Sequence, residues 1–294
     1  MKIFKFGGAS VKDAEGVKNV AQVLQETGTT HKVVVISAMG KTTNALEKVI
    51  YNYFENAEEL TAAIQGVKTF HHEILEHLFT DRTHSIFQKV NHFFEELGTF
   101  LNRNKSPNYD FVYDQVISFG ELISTTIVSE YLSSLNIKNT WLDARNLVKT
   151  DATYRDAKVD WVATEAQIQK QIEPQQLYIT QGFIASDANN FTTTLGREGS
   201  DYTAGIFAYC LKAIDVTIWK DVEGVLNADP RVFENTQLLE EISYEEAIEL
   251  AFYGASVIHP KTLQPLQKRE IPLLVKSFFN PKNKGTIVGK GKII

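Results

Sequence analysis

The strongest constraint on this chain is how its apolar runs alternate with helical stretches. "KIFKF" reads as a buried strand, "DAEGVKNVAQVLQE" has apolar residues at helical spacing, and "KVVVISAM" reads as a second buried strand. A strand–helix–strand opening of this kind pairs its strands in parallel. The alternation recurs along the chain. Helical stretches are expected from about Asn44 to Arg103, broken by "SPNYD", and from about Tyr109 to Leu135, interrupted at "SFGE". "KNTWLDA" looks like a strand and "RNLVKTDATYRDAKVD" an irregular excursion or hairpin. After the helix "WVATEAQIQKQI" come the strand "QQLYITQGFIASD" and the loop and helix "TTTLGREGSDYTAGIFAYCLKAI". "DVTIWKDVEGVLNADPR" is a strand with a turn-rich loop, "SYEEAIELAFYGA" and "HPKTLQPLQKRE" are helices, and "IPLLVKSF" and "GTIVG" are closing strands. The expected fold is α/β, a three-layer αβα sandwich around a central, mainly parallel sheet. The 294 residues contain no Pro/Gly/Ser-rich linker, repeat or low-complexity segment, so we read one domain with two lobes.

Composition narrows the partners. A net charge of −6 argues against nucleic acid, whose backbone needs clustered Lys and Arg. No run approaches 18 apolar residues, and Met1 leads directly into a strand, so neither a membrane partner nor a signal peptide is expected. Cys210 stands alone in "AGIFAYCLKAI", which points to an inert core thiol and a cytoplasmic location.

Two motifs mislead. "AMGKTTN" resembles the end of a phosphate-binding P-loop, but the glycine needed five residues before Gly40 is Val35. "HHEILEH" resembles a zinc motif, but the second histidine would have to replace Glu76, and a solvated helix face is the better reading.

Four glycine-centred turns carry more weight. In "KFGGAS", Gly7 and Gly8 let the backbone approach a bulky anion, and Lys5 stands within reach of a phosphate. The alternative is a tight turn with a snorkelling lysine. "LGREGSDYTA" sets Arg197, Ser200 and Asp201 at a helix start, where anions are favoured and an arginine can grip a carboxylate; a simple N-cap by Ser200 or Asp201 is the alternative. In "SFGEL", Glu121 sits in an apolar helix, where a carboxylate needs an ammonium partner unless it lies on the surface. "IWKDVEGVLNADPR" offers Lys220, Asp221, Asn227, Asp229 and Arg231 after a strand, either for a nucleotide or as a capped surface loop.

In this order the segments "KFGGAS", "VVVISAM" with "TTN", "SFGE", "QGFI", "LGREGSDYTA", "KDVEGVLNADPR" and "YGASVIHPKT" resemble the catalytic domain of aspartokinases, in the amino acid kinase family. The resemblance implies transfer of the γ-phosphoryl group of Mg2+-ATP to the β-carboxylate of L-aspartate, giving an acyl phosphate that feeds lysine, threonine and methionine synthesis. It implies an amino-acid-binding lobe over about residues 1–195 and a nucleotide-binding lobe over about 196–294. Lys5 would neutralise the transferring group, with Gly7 and Gly8 lining its path. Ser37, Thr43, Glu121, Phe183, Arg197 and Ser200 would surround aspartate, Glu121 on its ammonium and Arg197 on its α-carboxylate. Asp201 would orient Lys5 or assist catalysis. Lys220, Asp221, Leu226, Asn227, Arg231 and Ser256 would lie around ATP.

Five positions depart from the family pattern: Ala9 for Thr, Glu198 for Gly, Lys220 for Thr, Leu226 for Tyr and Ser256 for Lys. Lys220 or Lys261 is expected to supply the charge that Ser256 lacks. No ACT regulatory domain follows "HPKT", so no feedback control in cis is expected, and the oligomeric state is left open, a homo-oligomer included. Two rival readings within reach are another carboxylate or carbamate kinase of this fold, and a non-catalytic aspartate- or nucleotide-binding relative.

Overall fold

In a computed structural model, residues 1–228, 235–252 and 258–291 are described. The chain begins with β1 (Lys2–Phe6), a 3-10 turn (Gly8–Val11), α1 (Ala14–Thr27) and β2 (Lys32–Ile36). Four helices follow: α2 (Thr42–Glu55), α3 (Ala57–Leu78), α4 (Ser85–Arg103) and α5 (Tyr109–Ser134). Then come β3 (Thr140–Leu142), α6 (Trp161–Gln171), β4 (Leu177–Gln181), β5 (Ile184–Ser186), β6 (Thr192–Thr194), α7 (Gly199–Leu211) and β7 (Val216–Lys220). The described chain closes with β8 (Glu241–Ser243), α8 (Tyr244–Phe252), α9 (Pro260–Arg269), β9 (Leu273–Ser277) and β10 (Thr286–Gly289).

Eight strands form one sheet in the order β3-β4-β2-β1-β7-β9-β10-β8, and β5 and β6 form a separate antiparallel hairpin. Six strands of the sheet run parallel; β10 turns back against β9 and β8 follows it. Strand alternation sends the two faces into different cores. Phe4, Phe6, Val34 and Ile36 pack with Val17, Leu24 and Ile50 and with the long helices on one face. Ile3, Val33, Val35 and Ile218 pack with Ile206, Phe207 and Leu263 on the other. The expected sandwich around a mainly parallel sheet is the fold observed.

Several local expectations need correction. The helical region before Arg103 is three helices rather than one stretch, and α5 runs without interruption through "SFGE". Gly120 does not break it: a Cβ there would stand 3.0 Å from the Ala38 Cβ and 3.3 Å from Leu46 and Thr42, so the glycine admits the start of α2. "TTT" is the second strand of the hairpin, and the short edge strand β8 has no alternation by which it could be read. "HHEILEH" is not wholly solvated. His71 is buried, its Nδ1 donates to the Val67 carbonyl at 2.7 Å, and burial holds its pKa down at about 4. Cys210 is buried as expected, and burial pushes its thiol up to about 12. Among the described residues no helix is long and apolar enough to cross a membrane.

Candidate active site

The carboxyl ends of β1, β2 and β4 open onto a cleft of about 440 Å³, the crevice where open α/β sheets bind ligands. Lys5 reaches it by strand register. Opposite Val35 and Ile218, it lies on the same face as Ile3, beneath α7, where its ammonium meets the Asp201 carboxylate at 2.7 Å. Both side chains are mostly buried, 12% and 2% exposed, so this is a charged pair set inside the protein rather than a solvated lysine. The two glycines after the strand supply space, not left-handed backbone. A Cβ on Gly7 would lie 3.1 Å from the Lys5 ammonium, and one on Gly8 2.9 Å from the Ala38 carbonyl.

Glu121 enters from α5. Its residue is 3% exposed, Oε1 accepts only a long bond of 3.4 Å from the Ala38 N–H, and Oε2 is buried without a partner. Burial pushes its carboxyl up to about 8. A carboxyl in this state is an acceptor awaiting a donor, and a ligand ammonium would hold it ionised.

α7 aims its amino end into the cleft through Gly199, Ser200 and Asp201. Close packing sets it there. A Cβ on Gly199 would meet the Phe183 ring at 2.4 Å, and one on Gly182 would meet Ser200 at 2.5 Å. Phe183, at φ 72°, donates its N–H to the Thr203 hydroxyl at 2.9 Å. Before the helix, Gly196 and Glu198 both take left-handed backbone, φ 79° and 54°, and between them Arg197 is exposed in the mouth. Glu198 therefore occupies a conformation that favours glycine.

The cleft thus collects three cationic side chains, Lys5, Arg155 and Arg197, three carboxyls, Glu121, Glu198 and Asp201, and a helix amino end, an arrangement that can hold a zwitterionic carboxylate beside a second anion. The sequence model of the amino acid kinase family matches residues 1–277. The chain belongs to the amino acid kinase family. Among its relatives in that family is the bifunctional aspartokinase/homoserine dehydrogenase of Buchnera aphidicola, 36% identical over 98% of this chain and 36% of that protein. Lysine-sensitive aspartokinase 3 of Escherichia coli is 34% identical over 97% of this chain and 63% of that protein. The crystal structure of E. coli aspartokinase III in complex with aspartate and ADP superposes with a TM-score of 0.90 at 31% identity, covering 99% of this chain and 65% of that one. This amino acid kinase chain therefore spans from about a third to just under two thirds of the relatives it matches.

Of the residues singled out from the sequence, Lys5, Gly8, Ser37, Thr43, Glu121, Phe183, Arg197, Ser200 and Asp201 line the one cleft, and Gly7 adjoins it through Lys5. The described residues of the loop after β7 do not line it. Lys220 closes β7 on the Lys5 face by register, Asp221 borders a separate hollow beside α1, and Leu226 bridges to Leu238. The Asn227 Oδ1 accepts the Gln237 N–H at 2.9 Å. Asp229, Arg231 and Ser256 fall outside the described residues. The Lys261 ammonium is taken by Asp156 at 2.9 Å and the Leu195 carbonyl at 2.8 Å, behind the Arg197 turn rather than in the cleft. Sequence reasoning missed Tyr113 and Arg155, which also line the cleft. Tyr113 could have been found eight residues before Glu121 on the same helical face. Arg155 lies in the irregular excursion, where no periodicity marks it.

Proposed function

We propose that the chain is an aspartate kinase, transferring the γ-phosphoryl group of ATP to the β-carboxylate of L-aspartate to give 4-phospho-L-aspartate, the step that commits aspartate to lysine, threonine and methionine. The observation that carries this reading is Glu121, a buried carboxyl with an unpartnered oxygen facing the cleft that holds Lys5 and Arg197. An α-ammonium satisfies it with a full positive charge and three N–H donors; an N-acylated acid or carbamate offers only neutral N–H groups, which leave the buried carboxylate's charge unbalanced. The aspartokinase names of the relatives, and the aspartate and ADP bound by E. coli aspartokinase III, support the same substrates.

In this reading Glu121 takes the ammonium and Arg197 the α-carboxylate, with Ser37, Thr43, Phe183 and Ser200 closing around them. The β-carboxylate is already a nucleophile and needs no base. Its oxygen attacks the γ-phosphorus, the bond to the β–γ bridging oxygen breaks, and ADP leaves. The obstacle is repulsion between two anions, which Lys5, held by Asp201, offsets at the transferring group. Among the described residues no three acidic, histidine or cysteine side chains cluster to hold a metal. A divalent cation, expected as Mg2+, would ride on the ATP phosphates and neutralise their charge. Gly7 and Gly8 leave room for the phosphates, and Lys220, Asp221, Leu226, Asn227, Arg231 and Ser256 are assigned to the nucleotide. Residues 1–195 would then serve mainly the amino acid and 196–294 the nucleotide, in a cytoplasmic enzyme.

Trapping the acyl phosphate with hydroxylamine tests the proposal. With ATP and Mg2+, the hydroxamate should form from L-aspartate and not from glutamate, N-acetylglutamate or carbamate. Turnover of one of the other acids in place of aspartate would overturn it.

A further inference from the structure

Of the two non-glycine cleft residues with left-handed backbone that the proposed chemistry leaves without a task, Glu198 and Arg155, the cation is Arg155. Its φ is 68°, a region that bulky L side chains rarely adopt. The surrounding structure enforces it. The Arg155 N–H donates at 3.0 Å to Asp114 Oδ2, and Asp114 is wholly buried. The same carboxylate accepts the Thr194 N–H and the Thr194 hydroxyl, both at 2.8 Å. Residue 155 is thereby tied to the end of β6, which leads into the Arg197 turn. A Cβ on Gly196 would come 3.3 Å from the Arg155 carbonyl, so the two arginines rise from touching segments.

The side chain is placed as deliberately as the backbone. Its guanidinium lies 4.3 Å from the centroid of the Tyr113 ring, and Tyr113, which lines the cleft, is itself held by donating its hydroxyl to Glu47 at 2.9 Å. The only ion pair Arg155 makes among the described residues is with Asp110, at 3.2 Å, with both side chains about half exposed. A solvated pair of this kind is weak and can be exchanged. Stacking on a fixed ring keeps the planar fork of an arginine oriented while its partner changes.

We propose that Arg155 is a substrate-recognition residue, which leaves Asp110 and joins Arg197 in gripping the α-carboxylate of the bound acidic amino acid. Asp114 and Tyr113 are its positioning residues. Two guanidiniums at one end of the cleft fix the α-carboxylate and leave the side-chain carboxylate to face Lys5. This inference rests on the proposed substrate.

The test is Arg155→Gly, which accepts the left-handed backbone without strain and keeps the N–H bonded to Asp114. Steady-state kinetics would compare L-aspartate with its α-amide, which retains the β-carboxylate to be phosphorylated. The variant should raise KM for aspartate by about ten- to a hundredfold, the loss of a charged hydrogen-bonded contact, with kcat and the KM for ATP little changed. The KM for the α-amide should be the same in variant and wild type. An unchanged KM for aspartate, or an equal loss with both substrates, overturns the assignment. Should the wild type fail to turn over aspartate at all, the proposed function fails. Calorimetric titration of aspartate into both proteins then decides this inference: weaker binding by Arg155→Gly upholds it and equal binding overturns it.

Discussion

Glu121 shows how one residue couples substrate choice to stability. Its ordinary pKa of 4.5 is raised to about 8 by burial. Between those values the folded protein holds a proton that the unfolded chain releases, so stability falls as pH rises, by up to about 1.4 kcal/mol per unit. His71 acts in the opposite sense: held near 4 against an ordinary 6.5, it costs stability as pH falls through that window. Comparing Glu121→Gln with wild type isolates the first effect. Ligand-free Glu121→Gln should be the more stable protein at pH 8, with the difference in thermal midpoint shrinking toward pH 5. Binding of aspartate at pH 7 should expel the proton, which calorimetry in buffers of different ionisation enthalpy would register; the release should fade near pH 9. Glu121 was legible in the sequence because a carboxylate in an apolar helix demands a partner. Arg155 was not, because its backbone is dictated by Asp114 and Thr194, 41 and 39 residues away along the chain.

At the scale of elements, the cleft depends on how closely α7 seats against the turn after β4. Gly182 is in contact with Ser200 at the start of that helix, and a Cβ would stand 2.5 Å from the Ser200 Cβ and 2.7 Å from its Cα. Gly182→Ala should cost about 1–3 kcal/mol as an overpacked contact. It should lower kcat/KM by more than that loss alone explains, because Ser200 and Asp201 move with the helix. Gly98→Ala in α4 is the contrasting case. Beyond the backbone of its own helix turns and its chain neighbours, no atom lies within 4 Å of that added methyl, and the helix should gain about 0.8–1.0 kcal/mol. Chemical denaturation with parallel kinetics separates the two. Helix and strand periods announced most elements, yet "SFGE" read as a break because a helical glycine serving close packing looks the same in sequence as one ending a helix. "TTT" hid as a loop because β5 and β6 are three residues each, too short for alternation to show.

For the molecule as a whole, the sheet order could not be read from the chain. β1 lies between β2 and β7, and β7 begins 210 residues after β1 ends. That pairing puts the Lys5 ammonium under α7 and draws positive charge into one crevice of a chain whose net charge is −6. It also joins the proposed amino-acid and nucleotide portions by continuous strand hydrogen bonding, so unfolding should be a single cooperative transition. At a hundred times its dissociation constant, aspartate should stabilise the fold by about 2.7 kcal/mol, measured by denaturation with and without ligand. Two separated transitions would contradict this picture of one continuous sheet.

The central claim is that Lys5, fixed by Asp201, lets two anions meet. It is tested most directly by the turnover of Lys5→Met with aspartate and ATP, set beside calorimetric binding of aspartate to the same protein. The account predicts a fall in kcat of about 10²–10³, the scale of losing one charge-stabilising group, with aspartate still bound through Glu121 and Arg197. Undiminished turnover by that variant would contradict it.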